Sequence, residues 1–285
     1  MVRKVAEMYD EGAEEQPYVP AGGFKGKIKY HFEGLIPLIL IVLVIVLAGG
    51  YLGLWDIPYI TKAGPAKMLI IGRPSQLTFD ALNSSKDLVH YQVRDDEYFG
   101  IDPEYMLSHY DIVMLDQTNS SHRPMLSRQT AEAIEKYVRK GGKLIIVGNS
   151  GIMRRDAPEV VGWRALLGDI APVDCILDIQ NIPTCLQPIR VRGQLLTIDY
   201  EHPIVEGIER VPPLQEDAYD FEVFNVATKG NEIAYIQEGT QSDVYHAKWY
   251  PGIVERRHIL GKVIYFNYDP GITPAILQKT IKYLR

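Results

Sequence analysis

Several residues in this chain have types that can do chemistry. Ser150 sits in Gly148-Asn149-Ser150-Gly151, directly after an apolar run, where a serine could act as nucleophile in a Ser-His-acid arrangement. The tetrapeptide lacks the Gly-x-Ser-x-Gly spacing of a nucleophile elbow, so Asn149 and Ser150 read more readily as turn or capping residues. His202 lies in Glu201-His202-Pro203-Ile204-Val205-Glu206-Gly207. Acids on either side, Glu206 among them, can orient its imidazole. Without a nucleophile of matching signature, the same segment reads as a structural turn. Asp116, Gln117 and Asn119 end another apolar run, and with Asn149 and Ser150 they could bind a polar ligand or a sugar. They serve equally well as loop residues that satisfy backbone groups. Asp269-Pro270-Gly271 reads as a turn. His246, Trp249 and His258 could line a pocket, although aromatic residues in strands usually pack.

Cys175 and Cys185 are the only cysteines. They flank an expected hairpin, and a disulfide between them fits an oxidising exterior; the alternative is two unrelated buried thiols. No Cys and His set has zinc-site spacing. No P-loop, dinucleotide fingerprint or metal-binding helix is present, so neither metal nor cofactor is expected. The net charge of −6 over 285 residues argues against nucleic acid as a partner, since phosphates require a basic face.

The elements that must position these residues begin with Leu35 to Trp55, LIPLILIVLVIVLAGGYLGLW. It has no charge and about the length a helix needs to cross ~30 Å of hydrocarbon. Tyr51 and Trp55 suit the interface at its far end. A core helix would show a polar stripe, and a signal peptide would start earlier and end in a cleavage site. The expectation is an uncleaved single-pass signal-anchor over 34–55, with the bilayer as a partner. Residues 1–33 form a tail too polar to bury much surface. Lys25, Lys27 and Lys29 favour the cytoplasmic leaflet for that tail. Asn83-Ser84-Ser85 and Asn119-Ser120-Ser121 match the N-glycosylation pattern at Asn83 and Asn119. With the cysteines they favour an extracytoplasmic body. Residues 56–66 form a short Pro- and Gly-containing linker.

From Lys67 to Arg285 the pattern is α/β. Met68–Gly72, Asp111–Leu115 and Lys143–Gly148 are continuous apolar runs of the kind that strands buried on both faces require. Val89–Val93 is β-like, and short helices are expected within Phe79–Leu88 and over Pro103–His109. Ser127–Lys140 is an amphipathic helix with Ser127 as N-cap and Gly141-Gly142 as its stop. Pro158–Leu167 has helical spacing. Cys175–Ile179, Ile189–Ile198, Glu222–Val226, Glu232–Gln237, Val244–Tyr250 and His258–Asn267 read as strands, and Ile272–Arg285 as a closing helix. The alternation predicts a three-layer, mostly parallel sheet with added antiparallel strands.

The blocks DIVMLDQTN, SRQTAEAIEKYVRKGGKLIIVGNSG, WRALLGDIAPV, DYEHPIVEGIE and KVIYFNYDPGITPAILQKTIKYL resemble the class I glutamine-amidotransferase-like superfamily, nearest its non-amidotransferase, trehalose-utilisation-type branches. The resemblance covers nearly all of the chain after Lys67. It implies a flavodoxin-like core with any site at the carboxyl ends of the central strands, where open parallel sheets bind ligands. It also implies a nucleophilic Cys on the turn after LIIVG, and Gly148–Gly151 has none. The function expected is therefore a membrane-anchored, non-catalytic pseudoenzyme acting as an extracytoplasmic binding or assembly subunit with a membrane or envelope protein partner. The alternatives are a surface hydrolase, amidase or carbohydrate-active domain using Ser150 and His202, and a structural subunit of a transport or envelope complex.

Overall fold

A chain with this many β-branched apolar runs must pair them into a sheet and cover both faces. A computed structural model describes residues 24–51, 64–99, 102–119, 124–213, 217–239 and 248–285. Two units are distinct, Met1–Thr61 and Lys62–Arg285.

Among the described residues the first unit contains one helix, α1 (Phe24–Tyr51), with Pro37 inside it. It begins ahead of the expected 34–55 span, so Lys25, Lys27 and Lys29 lie within the helix. An apolar segment that already holds a helical nucleus extends it at little cost through neighbours that do not break it. Residues 1–23 and 52–63, with Trp55 and most of the linker, lie outside the described residues. The side chains of α1 are described for 36–49, ~21 Å of helix at 1.5 Å per residue. Among the described residues no helix is long and apolar enough to cross a membrane, so the expected span is not established by the fold.

The second unit is mixed α/β. Strands β1 (Ala66–Gly72), β2 (Val89–Arg94), β3 (Ile112–Asp116), β5 (Lys143–Val147) and β15 (Gly261–Phe266) are mutually parallel in the order β2-β1-β3-β5-β15. The sheet continues antiparallel through β14 (Trp249–His258), β13 (Asn231–Glu238), β9 (Ile189–Thr197) and β10 (Arg210–Val211), with β11 (Tyr219–Val223) also paired to β9. Two small sheets accompany it: β4 (Met125–Leu126), β6 (Met153–Arg154) and β7 (Ala157–Val161); and β8 (Val173–Cys175) with β12 (Val226–Thr228).

The period-two alternation of β1 divides the core. Met68 and Ile70 face α2 (Gln76–Asn83) and α6 (Pro274–Leu284), while Leu69 and Ile71 face α3 (Pro103–Leu107), α4 (Arg128–Arg139) and α5 (Trp163–Leu167). As expected, Ser127 caps α4, its hydroxyl accepting from Thr130 N at 3.1 Å. Two expectations shift. Pro158–Leu167 is strand β7 followed by α5, because Val160 and Val161 favour extended backbone and Gly162 turns the chain at φ +118°. The strand expected over Cys175–Ile179 ends at Cys175 and gives way to an ordered hairpin. The Cys175–Cys185 disulfide closes that hairpin, with a Cα separation of 5.3 Å.

Candidate functional site

Parallel strands end together, so their last residues share one edge of the sheet. At this edge β1 ends in Gly72, β3 in Asp116 and β5 in Val147 before Gly148, while β15 leads into Asn267-Tyr268-Asp269. Gly72 has φ +114°, and a Cβ there would lie 2.2 Å from the Asp116 carbonyl oxygen. Only glycine lets the two strand ends approach so closely.

Asp116 is fully buried. Its Oδ1 accepts from Thr118 N at 3.1 Å and from Thr118 Oγ1 at 2.6 Å. Its Oδ2 is buried without a hydrogen-bond partner. Burial pushes the carboxyl from 3.8 up to about 7, against the two Thr118 bonds and with help from the nearby charge of Asp269. Asp269 is held in turn by Thr78 Oγ1 at 2.7 Å and Gly271 N at 2.9 Å, which fits the expected turn.

Gln117 is a clamp. Its backbone N donates to Ser150 Oγ at 2.7 Å, its Nε2 to the Met125 carbonyl at 2.8 Å, and its Oε1 accepts from Gly151 N at 2.9 Å. Ser150 is fully buried beneath it, and its carbonyl accepts from Trp163 Nε1 at 2.9 Å. Asn149 is half-buried on the turn, and Asn119 is exposed, its N donating to the Arg73 carbonyl at 3.1 Å. The edge brings Asp116, Gln117, Asn149 and Ser150 together. Its polar atoms mostly join one strand end to the next. Beside it, Gly72, Arg73, Val93, Arg94, Asp95 and Tyr98 line an open groove of about 280 Å³.

His202 is elsewhere. It packs with Ile204 and Val205 on the α2 and α6 side, whereas Ser150 lies among Ile152 and Trp163 on the other face. The sheet stands between them. The His202 Nδ1 accepts from Ile204 N at 3.3 Å, so its Nε2 donates to Glu255 Oε2, also at 3.3 Å. The ring meets Tyr283 edge-on, with centroids 5.0 Å apart. Tyr283 donates to Glu255 Oε1 at 2.6 Å, and Arg257 Nε to Oε2 at 3.1 Å. Burial raises the Glu255 carboxyl, but the bonds from His202 and Tyr283 and the charge of Arg257 outweigh it and hold it below the usual range. Burial, then Glu255, pushes the Tyr283 hydroxyl up. Asp199, Asn231 and Arg256 line, with His202, Glu255 and Arg257, a groove of about 420 Å³. Glu206 is exposed, and its carbonyl accepts from Lys279 Nζ at 2.8 Å.

Sequence reasoning missed Glu255, Tyr283 and Asn267. Asn267 is fully buried and fully used: Oδ1 accepts from Phe224 N and Tyr265 hydroxyl, and Nδ2 donates to the Phe224 and Pro251 carbonyls, all at 2.8–2.9 Å. One polar residue inside IYFNYD was the available signal. Asn83 is exposed and accepts from Tyr91 hydroxyl at 3.0 Å. His246 lies outside the described residues, and His258 bonds to the Asp169 carbonyl at 3.0 Å. Among the described residues no group of acids, His and Cys could hold a metal ion.

The chain matches no protein-family profile and no curated protein sequence. Similar solved structures include a β-galactosidase from Bacillus circulans sp. alkalophilus, at 15% identity and a TM-score of 0.49, covering 79% of this chain and 31% of that one. A cytoplasmic protein from Salmonella typhimurium is similar at 15% identity and 0.45, covering 76% and 98%. A putative GMP synthase component from Thermoplasma acidophilum is similar at 12% identity and 0.41, covering 78% and 96%. The chain thus spans 31% of the galactosidase's length. Likenesses this loose carry no information about activity.

Proposed function

We propose that this chain is a membrane-anchored, non-catalytic, amidotransferase-like domain of flavodoxin-like three-layer architecture, acting outside the cytoplasm as a binding or assembly subunit. The observation that carries the reading is the state of the nucleophile turn. Where the resemblance calls for a nucleophilic Cys, the chain has a buried Ser150 whose hydroxyl already receives Gln117 N. The imidazole of His202 is committed to Glu255 on the other face. Both sulfurs are tied to each other, and among the described residues no cysteine is free. A hydrolase needs its nucleophile and base within hydrogen-bond reach, and this arrangement separates them.

The anchor is supported by α1. Ile36 and the run Leu38–Leu47 are exposed all the way round the helix, and water penalises such a surface where lipid or partner helices do not. The extracytoplasmic side is supported by the disulfide and by exposed Asn83 and Asn119. The experiment is alkaline extraction followed by protease treatment of intact cells. The chain is expected to stay with the membrane and its body to be digested from outside. Release by alkali, or protection of the body, refutes the reading.

A further inference from the structure

Asn83-Ser84-Ser85 matches the N-glycosylation pattern, and all three residues are described. The fold surrounds Asn83 with more than the pattern requires. Asn83 is the last residue of α2 and is exposed. Phe79 stands four residues earlier, on the same side of that helix. Below them runs β2, where Tyr91 pairs with Met68 of β1 and so shares the face that α2 covers. The Tyr91 hydroxyl donates to Asn83 Oδ1 at 3.0 Å. Its ring meets that of Phe79 with centroids 6.1 Å apart and planes tilted by 40°. Both rings are half-buried, so each keeps part of its surface in water.

The amide of Asn83 is therefore divided. Its oxygen is held by Tyr91, and its nitrogen has no partner among the described residues. Attachment of a sugar replaces one hydrogen on the amide nitrogen and leaves the carbonyl intact, so the bond from Tyr91 survives it. The sugar then projects from Nδ2 beside two aromatic rings. A pyranose has a face of C–H groups that packs on such rings, while its hydroxyls stay in water.

We propose that Asn83 carries an N-linked glycan and that the Phe79–Tyr91 pair seats its first sugar. The donor class is an oligosaccharide linked to a polyprenyl phosphate or pyrophosphate. A bond forms between Asn83 Nδ2 and the anomeric carbon, and the bond from that carbon to the phosphate oxygen breaks. The lipid phosphate leaves with the electron pair, and the proton lost by the amide passes to the base of the transferase. Ser85 sets the timing. In the folded chain it is buried, its hydroxyl donating to the Ala81 carbonyl at 2.8 Å, so the transferase reads the triplet before the helix closes. The inference rests on the extracytoplasmic reading above, because a glycan of this kind belongs to surface segments on that side. It also gives the edge of the sheet a cover. β2 ends the large sheet and pairs only with β1, and a bulky hydrated group over that strand disfavours the strand addition that a free edge invites.

The test starts from the full chain extracted from its native membranes. Trypsin cuts after Lys67 and Lys86 and spares Arg73, which precedes Pro74, so it releases peptide 68–86, in which Asn83 is the only asparagine. Mass spectrometry should find sugar on Asn83. Asn83→Gln, which keeps an amide for Tyr91, should remove that sugar and the matching step in gel mobility. Its loss should lower the melting temperature by about 2–4 °C, the shift that one modest contact makes in a body of this size. In a Phe79→Ser background the same substitution should lower it no further, because the sugar has already lost its seat. A bare peptide from a chain whose body is digested from outside would overturn the inference and leave the topology standing. A bare peptide from a chain whose body is protected would overturn both. A glycan whose loss leaves the melting temperature unchanged, or lowers it equally with and without Phe79, would overturn the aromatic seat.

Discussion

Asp116→Asn separates the cost of a buried charge from the cost of a buried polar group. The wild-type carboxyl rises from 3.8 to about 7 on folding, and each pH unit of that rise is worth about 1.36 kcal/mol, about 4 kcal/mol in all. The sign follows from linkage. A carboxyl whose folded value is raised favours the folded state below pH 3.8 and loses that contribution as pH climbs to about 7. Asparagine does not titrate. It keeps an oxygen for Thr118, but its amide hydrogens occupy the place of Oδ2, which has no partner; that costs about 1–3 kcal/mol at every pH. The variant is therefore expected to be about 1–3 kcal/mol more stable than wild type at pH 8, and equal or less stable at pH 4. Urea unfolding of both chains at half-unit steps between pH 4 and 8 measures the difference directly. A stability difference that stays flat across that range would refute the account of Asp116 as an enclosed carboxyl.

Three further outcomes rest on the same geometry. Gly72→Ala places a Cβ 2.2 Å from the Asp116 carbonyl at φ +114°, so it should destabilise by about 2–4 kcal/mol from strain and overlap together, measured by the urea midpoint. Reducing Cys175–Cys185, or changing both to Ser, reopens a loop of sequence separation 10 and should cost about 3 kcal/mol, seen as a lower melting temperature. Glu255 is held below its ordinary 4.5, so its contribution is present above pH 4.5 and lost as pH falls through its folded value. Glu255→Gln should be about 1–3 kcal/mol less stable at pH 7 but lose less between pH 5 and 3. A variant that acidifies as steeply as wild type would show that another carboxyl carries the transition.

The parallel core was legible because each of its strands is buried on both faces and so appears as an unbroken apolar run. Ser127 and the two cysteines were legible because capping and bridging act over a few residues. Other features depend on distance. Pro158–Leu167 has helical spacing because β7 and α5 come one after the other, and only Gly162 separates them. The strand expected over Val244–Tyr250 stops short of Pro251, yet β14 runs from Trp249 to His258: Pro251 pairs with Tyr235, and its carbonyl receives Asn267 Nδ2. The acid for His202 was sought in its neighbours Glu201 and Glu206. It comes instead from Glu255, on a strand 53 residues away, and no local pattern encodes that pairing.

The same limit governs the carboxyl end of the sheet. Residue types there gave a credible set of ligand groups, because Asp, Gln, Asn and Ser at strand ends are what a binding crevice uses. Residue types alone cannot say which atoms remain once the strands close. Gln117 spends three groups on Ser150, Met125 and Gly151, and Asn267 spends its whole amide on Phe224, Tyr265 and Pro251. Each bond that joins two strand ends is one fewer for a ligand. Most of the polar groups that define a catalytic crevice by type here serve as mortar between strands, while Asp116 Oδ2, buried at the same edge, is left without a partner.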